Sequence, residues 1–178
     1  MTAPIPPIYR RLPHGPHRLS RGEVIHNQRI RMHGAMIEAV AENGFQETSV
    51  RQVVGLAGVS RRSFYEQFAS KEACFLATFD LLAGLGVQRM SSAYLGAGGD
   101  LEDRLRAGLG EFARFASTRR KATVLVIVES QTAGAAALLR LRRATVTCER
   151  LLCRSFSDAP GASRLAPPIV RAIAGGLH

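Results

Sequence analysis

Two adjacent arginines, Arg61 and Arg62, directly follow Ser60 and precede a pair of phenylalanines, Phe64 and Phe68, set four residues apart. Guanidinium is planar and carries a rigid fork of donors, so arginines at the start of a helix can bind the O6 and N7 edge of guanine bidentately. Ser63, Tyr65 and Gln67 in the same stretch carry hydroxyl or amide groups suited to phosphate oxygens. Taken alone, two arginines describe a solvated helix face just as well. The elements around them decide between the two.

Ser49 is followed three residues later by Gln52, the spacing of a capping box, so a short helix is expected to start near Val50. Val50, Val53, Val54 and Ala57 recur at intervals of three and four and form its buried face, while Arg51 and Gln52 look outward. Gly58 can take the left-handed conformation that ends a helix, and Val59 can plug the space between two helices. Ser60 then caps a second helix that is anchored by phenylalanines on one side and polar on the rest. This is the grammar of a helix-turn-helix, whose second helix enters the major groove with its N-terminal residues nearest the bases.

The stretch from about Arg29 to Asp80 resembles the DNA-binding domain of the tetracycline-repressor (TetR) family of one-component transcriptional regulators. The resemblance rests on Gly44-Phe45, Thr48-Ser49-Val50, Ala57-Gly58-Val59-Ser60, Phe64-Tyr65, Phe68 and Ser70-Lys71-Glu72, and covers roughly a third of the chain. It implies an all-α protein with a three-helix head, a variable helical domain for a small-molecule effector, and a homodimer straddling a palindromic operator in double-stranded DNA. It also implies that Thr48, Ser63, Tyr65 and Lys71 hold phosphates and that Arg61 and Arg62 face bases. Gln67 stands where the family often has histidine.

Residues 1–20 alternate prolines, glycine and basic groups such as Arg18 without apolar period, and are expected to form a flexible arm. Such an arm can enter an adjoining minor groove or serve as a solubilising tail. Ser20 and Glu23 form a second capping box that starts a long first helix carrying Met32, Ala35, Met36, Ala39 and Val40 and closed by Gly44. The expected DNA-binding domain is 21–70. Ser70 caps a connecting helix over 71–90, with Phe75, Leu76, Phe79, Leu82 and Val87 on its apolar face.

Ser91 to Asp100 reads as a loop into an effector-binding and dimerisation domain over 100–178. A helix follows through Leu101, Leu105, Leu109, Phe112 and Phe115. The β-branched run around Val124-Leu125-Val126-Ile127-Val128 is read as a buried helix, because a lone strand would leave its backbone groups unpaired. Glu129, with Gln131 and Thr132 behind it, is a candidate for lining an effector pocket; it can equally pair with Arg143 or Arg150. Another long helix spans Leu138 to Phe156. After Pro167-Pro168 an apolar stripe begins and stops at His178, where the family usually adds two helices that build the dimer interface, so the C-terminal helices are expected to be incomplete.

Composition agrees with a polyanionic partner: the formal charge is +10 and the pI about 10.9. Of the basic groups only Lys71 and Lys121 are lysine. Cys74, Cys148 and Cys153 show neither metal-ligand nor disulfide spacing, and His26 and His33 lie seven apart, too far for one ion. No cluster has triad spacing and no glycine motif cradles phosphate, so neither an enzyme, a metal nor a cofactor is expected. With no run of about 18 apolar residues and no signal core, the chain is expected to be soluble and cytoplasmic. The reading is a DNA-binding regulator, most naturally a repressor, with a sequence-non-specific, nucleoid-type DNA binder as the alternative.

Overall fold

A computed structural model describes residues 20–157, less the side chains of residue 149 and residues 151–157. The expectations for the basic arm with Arg18, and for the segment after Pro168, lie outside these residues. Among the described residues every regular element is helical, as the all-α reading requires.

Helix α1 (Arg21–Glu47) opens on the expected capping box: Ser20 Oγ accepts from Glu23 N at 3.3 Å, and Ser20 N donates to Glu23 Oε2 at 2.7 Å. That backbone donor holds the Glu23 carboxyl below its usual pKa. Regular helix stops at Gly44, whose φ of 74° and ψ of 163° fall where essentially only glycine goes. The break turns Phe45 back into the core.

Helix α2 (Val50–Ala57) starts at the Ser49–Gln52 box and ends at Gly58, which is left-handed at φ 61° and ψ 42°. Helix α3 (Arg61–Tyr65) starts at Ser60, whose Oγ accepts from Ser63 N at 2.9 Å. It is shorter than expected, since the sequence reading has the helix capped by Ser60 carry both Phe64 and Phe68. Beyond Tyr65 the chain tightens, with Gln67 N bonding Phe64 O at 3.0 Å, and this turn tucks Phe68 under α1.

Helix α4 (Lys71–Gly96) is capped by Ser70 and runs past the expected end at residue 90. The serines and small residues after Met90 read as a loop, but tertiary packing keeps them helical. Gly108 allows the approach: a Cβ there would sit 3.2 Å from Tyr94 Cβ and 3.3 Å from Met90 O. Helix α5 (Leu101–Thr118) starts at Asp100, which accepts from Asp103 N. Helix α6 (Arg120–Thr123) continues as a π turn (Val124–Val128) and a 3-10 turn (Glu129–Gln131), so the β-branched run is helical as expected but irregular. Leu125 within it is fully buried, while Val128 is 52% exposed. Helix α7 (Ala135–Ser157) packs back on α4, where Arg140 Nε donates to both Asp80 oxygens at 3.1 Å.

One core joins these elements. Met32 and Met36 of α1, Val53 of α2, Phe64 of α3 and Phe75 and Phe79 of α4 are essentially inaccessible, and the same cluster extends to Leu125 and Ala137 of the following helices. Among the described residues α4 alone, as a single helix, has the length and hydropathy to cross a membrane. Here it packs against α1, α5 and α7, burying Phe75, Phe79, Leu82 and Met90 while Leu81 and Leu95 stay exposed.

Candidate nucleic-acid interface

The interface builds from the turn outward. Arg31 of α1 is 8% exposed and places its guanidinium under the turn, donating to Ala57 O at 2.8 Å and Gly58 O at 3.3 Å. Those carbonyls end α2 and would otherwise lack partners in a buried place. A buried arginine therefore sets the angle between α2 and α3. The sequence reading missed it, because nothing in composition separates a buried arginine from the exposed ones around it.

Phe64 and Phe68 anchor α3 from behind, with ring centroids 5.6 Å apart. Phe68 also meets His33 edge-on at 5.6 Å and lies under the Arg29 guanidinium at 4.7 Å. His33 Nδ1 lies 2.8 Å from Thr78 Oγ1, which itself donates to Cys74 O at 2.7 Å. The hydroxyl proton being spent on Cys74, His33 must donate from Nδ1, and this bond locks α1 to α4. Burial, aided by the charge of Arg29, pushes the His33 pKa down to about 4; burial likewise pushes the Cys74 thiol up to about 12.

The opposite side of α3 faces solvent. Arg61 is exposed and makes no ion pair or hydrogen bond among the described residues, whereas the exposed Arg62 is held by Glu66 Oε1 at 3.0 Å. Tyr65 is 55% exposed, its ring edge-on to Phe64. Ser63 is half-buried, its hydroxyl 2.9 Å from that of Ser60. Ser49 is exposed, but its hydroxyl bonds Gln52 Oε1 at 2.9 Å.

Three expected contacts sit differently. Thr48 is 2% exposed and spends its hydroxyl proton on Gly44 O at 2.7 Å, so its side chain closes the end of α1 instead of reaching a phosphate. Gln67 lies in the turn after α3 with its amide toward Gln28 at 3.4 Å and its Oε1 buried, so it faces α1 and not the exterior. Lys71 donates to Phe45 O at 2.8 Å and Gln46 O at 3.1 Å and lies over the Phe45 ring at 4.4 Å. Two of its protons thus fasten the end of α1, and one is left for a phosphate.

The sequence profile of the bacterial regulatory proteins of the tetR family matches residues 35–78, from the middle of α1 into α4. The head belongs to the TetR family. Solved structures agree on the fold. The fatty acid degradation regulator FadR from Bacillus halodurans is 18% identical with a TM-score of 0.72, over 84% of this chain and 79% of that one. A protein from Pseudomonas aeruginosa PAO1, described as a transcriptional regulator, is 20% identical with a TM-score of 0.66, over 90% of this chain and 79% of that one. A TetR family transcription regulator from Marinobacter aquaeolei VT8 is 19% identical with a TM-score of 0.51, over 84% and 94%. No curated protein matches the chain. The chain thus joins a head that matches the tetR-family profile to a body with the fold of these regulators.

Behind the head, α4, α5, α7 and the irregular 124–131 segment line an open-sided cavity of about 160 Å³, walled by Leu82, Met90, Phe112, Phe115, Val126 and Leu141 among others. Of the three residues expected to bind an effector, only Gln131 lines it. Glu129 neither lines it nor pairs with Arg143 or Arg150: its Oε2 accepts from Phe45 N at 2.7 Å. Thr132 O accepts from Gln46 Nε2 at 2.8 Å. Both residues are drawn to the turn after Gly44 because its backbone and side-chain donors point at the irregular segment. Lys121, ion-paired with Glu38, adds a third tie, and that partner raises its pKa.

Proposed function

We propose that the protein is a transcriptional repressor that binds a palindromic operator as a homodimer and is released by a small molecule entering the cavity. The observation that carries the DNA reading is α3 itself: pinned from behind by Phe64 and Phe68, it turns Arg61, Arg62 and Tyr65 to solvent at the end that a recognition helix presents to bases. Arg61, uncommitted, is the principal base reader. Arg62 joins it on release from Glu66, while Ser49, Ser63, Tyr65 and the remaining proton of Lys71 serve phosphates. In this reading residues 21–70 are the head, 71–96 the connection and 100–178 the effector and dimerisation domain, and the protein works in the cytoplasm.

Release follows from shared walls. Val126, Ile127 and Gln131 line the cavity, while Glu129 and Thr132 of the same run hold Phe45 and Gln46 at the end of α1. A ligand that displaces the irregular segment moves the head with it. In a dimer, whose half-sites lie roughly 34–36 Å apart on DNA, a shift of a few ångströms costs base contacts.

Selection of bound oligonucleotides from a random pool, followed by footprinting, tests this. A preferred palindrome protected symmetrically is the expected result. The charge of +10 serves the competing nucleoid-type reading equally well, and that reading predicts uniform affinity across sequences and loss with salt alone.

A further inference from the structure

The cavity's polar groups restrict what it can hold. Thr123 Oγ1 donates to Ala116 O at 2.9 Å, and Thr145 Oγ1 donates to Leu141 O at 3.1 Å. Both hydroxyl protons are therefore spent on backbone carbonyls. Gln131 spends one amide proton on Ile127 O at 2.8 Å and stands exposed, at the rim. No charged side chain lines the cavity among the described residues. The guanidinium groups of Arg89 and Arg119 stack on Phe115 at 5.8 and 5.4 Å, but neither lines the cavity and Arg89 is bonded to Glu111.

An ionised ligand would thus enter an apolar chamber without a counter-charge, at a desolvation cost that nothing in the wall offsets. Size narrows the choice further. Apolar cavities of about 150 Å³ stay dry and take up benzene, and this one measures about 160 Å³.

From this geometry we infer that the cavity binds a neutral, single-ring-sized apolar molecule, with at most one uncharged polar group at the Gln131 end. The inference rests on the effector reading for its biological use, but not for its chemistry. The full chain is titrated by calorimetry with toluene, p-cresol, benzoate and benzylamine at neutral pH. Toluene and p-cresol are expected to bind more than about tenfold tighter than either ion. Ala144→Phe, which fills the cavity from α7, is expected to abolish toluene binding. Nuclear Overhauser contacts from toluene to the methyls of Leu82 and Val126 supply a second readout should that variant not fold.

Benzoate or benzylamine binding as tightly as toluene overturns the inference while leaving an effector site in place. No toluene binding up to its solubility limit, or contacts elsewhere, overturns it as well. Toluene bound in the cavity without loosening the DNA complex sustains the inference and removes the release mechanism.

Discussion

Glu129 Oε2 accepts a hydrogen bond from the backbone N–H of Phe45 at 2.7 Å, joining groups 84 residues apart in sequence. The turn at Gly44 frees that N–H from the helix and aims it at the carboxylate. A charged acceptor on an otherwise orphaned donor is among the stronger polar contacts in a fold. Glu129→Ala is expected to lower stability by about 1–3 kcal/mol in urea denaturation. Amide exchange should quicken at Phe45 and Gln46 while α4 stays protected. Unchanged exchange at Phe45 would mean that the carboxylate does not hold the turn.

Gly44 and Gly58 both sit at positive φ, but their substitutions should differ. Gly58 lies in the left-handed region, which an alanine reaches at a cost of roughly 1–2 kcal/mol. Gly44, at φ 74° and ψ 163°, lies in a region reserved for glycine, and a Cβ there would also stand 3.4 Å from Glu129 Oε2. Gly44→Ala should therefore destabilise the protein more than Gly58→Ala and should disturb the Glu129 contact. Equal midpoints for the two variants would contradict the backbone assignment.

On DNA, Arg61 and Glu66 should move affinity in opposite directions. Arg61→Ala removes an uncommitted guanidinium and is expected to cost roughly 1–3 kcal/mol on the operator while relaxing preference at one base pair. Glu66→Gln removes an exposed partner from Arg62, an ion pair worth at most about 1 kcal/mol to folding. It also removes a negative charge from the side proposed to face DNA, so affinity should rise and the salt dependence steepen. Lys71→Ala should weaken all sequences alike, with a lower melting temperature because Phe45 O and Gln46 O lose their donor. Quantitative binding at several salt concentrations separates the three.

Much of the head was legible in the sequence because its signals are local. Ser20, Ser49, Ser60, Ser70 and Gly58 act within one turn of where they stand, and each caps or ends the helix assigned to it. Contacts between elements left no such trace. Thr48 and Gln67 read as exposed polar groups, yet the end of α1 and the turn after α3 draw them inward. Glu129 read as a pocket or ion-pair group because its partner is a backbone N–H, which sequence cannot display. Likewise, α4 outran its expected end because packing on α5 outweighed the weak local preference of Ser91-Ser92.

His33 makes the head sensitive to acid. Its imidazole is buried neutral against Thr78 and Phe68, with Arg29 nearby, and its pKa falls from 6.5 to about 4. Below pH 6.5 the unfolded chain takes up a proton at this ring that the folded protein refuses until about pH 4. The contribution is thus complete above pH 6.5 and drains away as pH falls toward 4. Glu23, with its pKa lowered from 4.5, loses its own contribution only further down, so among the described residues the interval from pH 6.5 to 4.5 falls to His33. The urea midpoint of the wild type should decline across that interval, and the midpoint of His33→Gln should be flatter. The ring should also appear as the Nδ1-protonated tautomer in long-range proton–nitrogen spectra at neutral pH. A midpoint as steep in His33→Gln as in the wild type would assign the acid sensitivity to other groups.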